Sequence, residues 1–301
     1  MPSDQRSASS AGKLKDAWSD WLLSRRQGGQ EPQPDQRAEL LRYRDGVLAG
    51  AELQPGDVLL DVGCGDGLIG FGACEALGQT GRVVFSDVSA ELLQRCEQRA
   101  AEMGLSHRCS FVEARAENLA GLADRSIDVV TTRSVLIYVD RKREAFAEFF
   151  RVLRPGGRLS LFEPINRRTY PEPSSVFWGW DVSTVTELRD KVAAEFGRGP
   201  AQERRAMMDF DENDLVRLAE EVGFADVELL LHVAISRPPQ RDWDRLLQSS
   251  PNPLAPTLAE AVAASLNDRE AGTFLTALRA SVQARAGRRR SAVAYVHARK
   301  R

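Results

Sequence analysis

Val58-Leu59-Leu60-Asp61-Val62-Gly63-Cys64-Gly65-Asp66-Gly67 is the stretch on which the reading of the whole chain turns. Its first five residues form an apolar run of strand length, the pattern of a strand covered on both faces. Three glycines at alternate positions then make a turn where the backbone can approach a ligand with no Cβ in the way. One carboxylate, Asp61, precedes the turn and another, Asp66, lies inside it. Acidic groups repel phosphate and attract ammonium and hydroxyl groups. The turn therefore suits a nucleoside with a cationic amino-acid tail better than a polyphosphate. A Walker loop would end in Gly-Lys-Ser/Thr, but Gly67 is followed by Leu68-Ile69. A dinucleotide fingerprint would place a third glycine where Leu68 stands.

Gly81-Arg82-Val83-Val84-Phe85-Ser86-Asp87 reads as a second strand ending in a carboxylate. Asp87 falls about 20 residues past the glycine turn, the spacing at which such folds set an acid on ribose hydroxyls. The competing role for Asp87 is an N-cap of the following helix, for which Ser89 is the better candidate.

Together these residues resemble the S-adenosylmethionine-dependent methyltransferases of Rossmann-like fold. Two more blocks carry the likeness. Glu113-Ala114-Arg115-Ala116-Glu117-Asn118-Leu119, followed by Asp124-Arg125-Ser126-Ile127-Asp128-Val129-Val130, is similar to the family's adenine-side loop and fourth strand. Arg151-Val152-Leu153-Arg154-Pro155-Gly156-Gly157-Arg158-Leu159 is similar to its turn into the fifth strand. The resemblance covers about residues 50 to 166 and implies S-adenosyl-L-methionine as cofactor. It implies that Gly63, Cys64, Gly65 and Gly67 line the methionine portion and ribose, and that Asp61 organises the loop near the cofactor's amino group. Asp87 would bind the ribose diol, Val88 would pack on the adenine, and Arg115 and Ala116 would border the ring. Arg115 departs from the family pattern, in which Asp is common. Arginine cannot accept a hydrogen bond, so either it stacks on the adenine or Glu117 supplies the acceptor.

Alternation of strand and helix predicts an α/β fold, a seven-stranded and mostly parallel sheet with helices on both faces. Predicted strands are Val58–Val62, Val83–Ser86, Cys109–Glu113, Ile127–Arg133, Arg158–Glu163, Val227–Ile235 and Ser291–Arg299. Predicted helices are Leu14–Leu23, Asp35–Ala51, Gly67–Leu77, Ala90–Met103, Arg141–Leu153, Asp211–Val222, Leu258–Leu266 and Ala271–Arg285. The organisation that follows is a disordered tail over 1–12, an N-terminal helical cap over 13–52 and a cofactor-binding core over 53–166. A substrate-side insertion occupies 167–210, and 211–301 completes the sheet. A helical insertion at about 238–287 sits before the last strand, with two readings: a wall of the acceptor pocket, or the surface of a homodimer.

Ligands of such sheets bind outside the carboxyl ends of the strands, which places Asp61, Asp87, Thr132, Arg133, Ser134 and Glu163 around one crevice. Glu163 is the candidate for contacting the acceptor, with orientation of the neighbouring loop as its alternative role. Arg133 is the candidate for an anionic acceptor, because a guanidinium fork matches a carboxylate; pairing with Asp140 or Glu163 is the alternative. Arg44 is the candidate partner of the cofactor carboxylate. Trp18 and Trp21 either cover the site or buttress the sheet. His107, His232 and His297 lie away from the predicted crevice, so no histidine base is expected.

The 301 residues are 43% hydrophobic and carry a net charge near −2. That balance gives no general attraction to nucleic acid or an anionic membrane, and the run Arg288-Arg289-Arg290 reads as a solvated face. Cys64, Cys74, Cys96 and Cys109 show neither CxxC pairs nor zinc spacing, so reduced thiols, no metal and a cytoplasmic setting are expected. No secretory signal or membrane-spanning segment is read. The expected activity is methyl transfer to a small molecule or peptide, the acceptor atom left open, with a carboxylate or hydroxyl oxygen among the candidates. The alternatives are C- or N-methylation in secondary metabolism, or a non-catalytic cofactor-binding regulator.

Overall fold

The computed structural model describes residues 17–26, 28, 31–198 and 206–301. The tail expected over 1–12 and the first residues of the predicted Leu14–Leu23 helix lie outside them.

Seven strands form the sheet: β1 (Val58–Val62), β2 (Arg82–Asp87), β3 (Cys109–Glu113), β4 (Ile127–Arg133), β5 (Leu153–Pro164), β8 (Ala225–Ser236) and β9 (Arg289–Arg299). Two short strands, β6 (Val176–Phe177) and β7 (Trp180–Asp181), pair separately. The sheet order is β3-β2-β1-β4-β5-β9-β8. Strands β1 to β5 run parallel, whereas β9 is antiparallel to both β5 and β8. The chain thus begins in the middle of the sheet, winds outward to β3, then crosses back to β4. The crevice opens at that reversal, beside the tip of β1.

Apolar periodicity explains the layers. β1 is buried on both faces, with Leu59 and Leu60 wholly inside. Helices α1 (Pro34–Ala51), α2 (Leu68–Ala73), α3 (Ala90–Glu102), α4 (Lys142–Val152) and α6 (Glu212–Val222) cover the faces. In α3 the buried residues are Leu92, Leu93, Cys96 and Ala100, one stripe at helical spacing. Ser89 caps it by accepting the Leu92 N–H, so the capping role falls to Ser89 and leaves Asp87 for other work. Asp211 and Asp214 form a reciprocal cap at the start of α6.

The glycine-loop helix is shorter than the pattern suggests, ending at Ala73 where Gly67–Leu77 was predicted. β5 is longer, because Leu153 already pairs with Ile127 before the Pro155-Gly156-Gly157 turn.

The remaining helices, α5 (Thr186–Phe196), α7 (Trp243–Leu247), α8 (Leu258–Ser265) and α9 (Asp268–Ala284), stand apart from the sheet. Segments distant in sequence share a second core here: Phe177, Trp180 and Val192 pack with Leu246, Leu258, Phe274 and Leu278. Each segment thus supplies apolar surface for the other to bury.

The chain over 17–25, helical and ending in a π-helical turn (Trp21–Arg25), lies against this second body. Trp21 Nε1 donates to the Ser250 carbonyl at 3.0 Å. Arg25 donates to the Ala255 carbonyl at 3.3 Å and pairs with Glu260 at 2.7 Å.

Candidate active site

The turn after β1 is held in shape by two carboxylates. Asp61 is buried, and its Oδ2 accepts the Gly70 N–H at 2.9 Å. It thereby supplies the anion that a helix N-terminus favours, where the helix's own N-cap is Gly67 with no side chain. Burial pushes the Asp61 carboxyl up to about 7, against the Gly70 hydrogen bond and the Arg133 charge, which act to lower it. Asp87, at the tip of β2, accepts the Gly65 N–H at 2.9 Å through one oxygen and the Ser89 N–H at 2.9 Å through the other. Burial raises its carboxyl above the usual range despite these donors.

Three positions in the turn require glycine: Gly67, outside the cleft lining, with φ 77° and a Cβ that would lie 2.5 Å from the Phe71 ring, and two that border the cleft. Gly63 has φ 62°, and a Cβ on it would lie 2.4 Å from Val135 Cγ2. Gly65 has φ 55° and borders the cleft, where its bare backbone leaves room beneath Leu22 of the N-terminal segment. Such φ values are costly for residues with a Cβ.

One cleft gathers the candidates. Gly63, Gly65, Asp87, Val88, Arg115, Ala116 and Arg133 all line it, together with Trp18, Trp21 and Leu22 from the N-terminal segment. Its empty space is about 970 Å³ with the open mouth included, ample for a nucleoside and a second small molecule. Arg115 pairs with Glu117 at 2.9 Å along the rim. The Trp18 ring meets Tyr138 edge-on, with centroids 4.6 Å apart.

Other expected site residues lie elsewhere. Glu163 is completely buried and does not border the cleft. Its Oε1 accepts the N–H groups of Val135 and Leu136 at 2.9 Å, and its Oε2 accepts that of Ile137 at 3.2 Å. The carboxylate fixes the loop after β4, so it is a positioning residue rather than an acceptor contact. Burial pushes it up to about 7, with the three N–H donors opposing.

Arg44, expected on the cofactor carboxylate, bonds instead to its neighbour Asp45 and packs over Gly72. Its place on α1 directs it along the helix face rather than into the cleft. Cys64 is buried within the core cluster beside Cys96, whose Sγ approaches the Gly65 carbonyl at 3.4 Å. Contact with Cys96 and burial raise the Cys64 thiol. Asp61 and Thr132 lie beneath the cleft rather than on its wall.

Arg26 was not legible from sequence. It follows Arg25 in an ordinary basic pair, yet Arg25 turns out to Glu260 while Arg26 turns in and lies over the Trp21 ring. Asp66, Tyr138 and Val139 also line the cleft.

A family model described as a methyltransferase domain matches residues 53–208, more than half of the chain. The chain belongs to this methyltransferase family. It is an S-adenosylmethionine-dependent methyltransferase with a Rossmann-like α/β fold. Among curated relatives, it is 28% identical over 178 residues to the ubiquinone/menaquinone biosynthesis C-methyltransferase of Francisella tularensis subsp. novicida, spanning 56% of this chain and 71% of that one. The protein of the same description from Nitrobacter hamburgensis is 43% identical over 105 residues, 35% of this chain and 41% of that one.

Among solved structures, the [4+2]-cyclase SpnF aligns with a TM-score of 0.54 at 21% identity, over 96% of this chain and 95% of that one. Phosphoethanolamine N-methyltransferase 2 of Haemonchus contortus, solved with phosphomonomethylethanolamine and S-adenosylhomocysteine, aligns with a TM-score of 0.51 at 16% identity, over 96% of this chain and 57% of that one. These two likenesses show the fold alone. A cyclase and an N-methyltransferase on one scaffold illustrate that the fold does not choose the reaction.

The residues present fit the methyltransferase cofactor. The turn offers a Cβ-free surface at Gly65, and the acid at the β2 tip borders the same cleft. Each oxygen of Asp87 accepts one backbone N–H and retains a second lone-pair site for a ribose hydroxyl. Among the described residues, no helix is long and apolar enough to cross a membrane, and no cluster of His, Cys, Asp or Glu is arranged to hold a metal ion.

Proposed function

We propose that this methyltransferase modifies a small molecule in the cleft between the strand tips and the N-terminal segment. In this reading Asp87 holds the ribose, Gly63 and Gly65 accommodate the methionine portion, and Val88, Arg115 and Ala116 border the adenine. The observation that carries it is the convergence of Gly65, Asp87, Val88 and Ala116 in the lining of one cleft. When bound, the cofactor supplies an electrophilic methyl on a sulfonium. The protein's task is then to align a nucleophile and exclude water, which positioning alone can accelerate substantially. Trp18, Trp21 and Leu22 of the N-terminal segment line the same cleft.

Glu163 has both oxygens engaged by backbone donors, so it is a poor general base. This favours an acceptor that arrives already nucleophilic, such as a carboxylate, over a hydroxyl that must be deprotonated. The domain reading goes with it: residues 53–166 bind the cofactor and the N-terminal segment covers the acceptor side, while the two insertions, none of whose described residues lines the cleft, anchor that segment through Ser250, Ala255 and Glu260. Four unpaired cysteines support a cytoplasmic setting.

The test is turnover. The purified 301-residue chain is incubated with S-adenosylmethionine and a panel of carboxylic acids, phenols and amines, and S-adenosylhomocysteine and methylated product are read by mass spectrometry. Cofactor binding without turnover on any class would favour the non-catalytic alternative.

A further inference from the structure

Two guanidinium groups enter the cleft, and among the described residues neither is ion-paired, although the Asp66 carboxylate lines the same cleft and its charge reaches Arg26. Arg133 ends β4, and Arg26 descends from the π-helical turn of the N-terminal segment; both line the cavity. Among the described residues, neither side chain makes a hydrogen bond or an ion pair. Other arginines near the site are satisfied: Arg115 by Glu117, Arg25 by Glu260 and Arg44 by Asp45. Arg26 is depressed to about 10 by burial and then by the Arg133 charge, with Asp66 and Tyr138 acting in the other direction. The acid beneath Arg133, Asp61, is itself raised to about 7 and committed to Gly70. Two like charges in a half-buried cleft are unfavourable unless a ligand supplies negative charge.

The position of the pair says what that ligand is. Asp87 stands at the β2 tip and Arg115 and Ala116 follow β3, so the nucleoside end of the cofactor belongs over β2 and β3. The glycine turn follows β1. A cofactor held so would present its reactive end towards β4, which lies beside β1 and ends at Arg133. The cofactor brings one carboxylate, which can satisfy one guanidinium fork. The second fork is left for the other reactant. Around the pair the walls are apolar: Trp18, Trp21, Leu22, Tyr138 and Val139.

We propose that the methyl acceptor is a small acid with an apolar body, its carboxylate or phosphate held by Arg133 opposite Arg26 and its body packed against Trp18 and Tyr138. This rests on the reading of the cleft given above and names the substrate class for it. Arg133 is then a specificity-determining residue, and the orphaned fork is the reason the cleft selects acids.

The test is calorimetry on the full chain saturated with S-adenosylhomocysteine. The probes are benzoate and phenylphosphate, with benzyl alcohol as the neutral counterpart and inorganic phosphate as the anion without a body. We expect at least one aromatic anion to bind ten times more tightly than benzyl alcohol and than inorganic phosphate. Arg133→Gln should reduce that binding at least tenfold and Arg133→Lys should restore part of it, because an ammonium keeps the charge but not the fork. Thermal melting without ligand should be unchanged or higher in Arg133→Gln, since a like-charge contact is relieved.

The proposal is overturned if no anion binds to the loaded protein. It is also overturned if Arg133→Gln weakens S-adenosylhomocysteine tenfold while leaving the anion unaffected, for then the fork serves the cofactor's own carboxylate. Failure of S-adenosylhomocysteine to bind the unaltered chain is a different result, and it removes the cofactor-site reading first.

Discussion

The Asp87 carboxylate accepts the Gly65 N–H across 2.9 Å, tying the tip of β2 to the turn that follows β1. The acid and the Cβ-free surface are thus joined by the protein's own hydrogen bond. Preorganisation of this kind is what a binding site on strand tips supplies.

Asp87→Ala should weaken S-adenosylhomocysteine binding by about 1–3 kcal/mol, the range for losing a charged hydrogen-bond partner. Titration calorimetry measures it, with a melting curve to show that the variant is folded. Full affinity in a folded variant would remove Asp87 from the ribose site.

Arg44→Ala should leave the same affinity within about 0.5 kcal/mol, as expected for a surface change away from the site. Its guanidinium is already bonded to Asp45 outside the cleft. A large loss in that titration would restore Arg44 as a cofactor contact.

Glu163→Gln should act on stability rather than on chemistry. A glutamine Nε cannot accept, so one of the three loop N–H groups now received by the carboxylate loses its acceptor. The expected cost is about 1–3 kcal/mol, read as a lower urea midpoint. Once a substrate is in hand, the pH profile of kcat should keep its shape. Loss of an ionisation from that profile would make Glu163 a catalytic base after all.

Gly63→Ala should both destabilise the protein and weaken cofactor binding. The φ of 62° costs an L-residue about 1–2 kcal/mol, and the new methyl would displace Val135, which lines the same cleft. Melting temperature and calorimetry should move together; an unchanged melting temperature would contradict the close approach of Gly63 to Val135.

Stability should respond to pH through the buried acids. Asp61 and Glu163 are raised to about 7 in the fold, whereas unfolded carboxyls titrate near 4. Between those values the native state holds protons that the unfolded chain has released. These two groups therefore add stability below about pH 4, and that contribution is lost as pH rises through 7. His297, depressed by burial, acts in the opposite sense as pH rises towards its unfolded value. The comparison is accordingly between wild type and Asp61→Asn, measured as urea midpoints at pH 5 and pH 8. The variant should show the smaller decline; equal declines would mean that Asp61 is ionised at both.

Local signals were legible because they need only near neighbours. The strand Val58–Val62, the glycine turn and the acid at Asp87 are set by apolar runs, by φ requirements and by a spacing of one βαβ unit. Ser89 was the better cap on chemistry alone, and it is the cap observed. The seven-stranded, mostly parallel sheet followed from strand-helix alternation and the resemblance to a known family, whereas the order of its strands is a finding of the structure.

Side-chain destination was another matter. Glu163 and Arg133 both stand at strand tips, yet Glu163 turns inward to three N–H groups and Arg133 turns into the cleft. Strand alternation and the loop that follows decide between them, and neither is visible in the letters. Arg25 and Arg26 are adjacent and chemically alike, but one meets Glu260 and the other meets Arg133 across a cavity. The shared core of the two insertions likewise joins residues about a hundred positions apart. The sequence by itself determined the strands and helices of the central sheet and the glycine turn with its neighbouring acid, because those depend on short-range sterics and hydrogen bonding; it did not show the short pair β6–β7 or the helices Thr186–Phe196 and Trp243–Leu247. Tertiary structure alone decided which charges face the ligand, because a side chain's partner is fixed by packing between segments that the chain order keeps far apart.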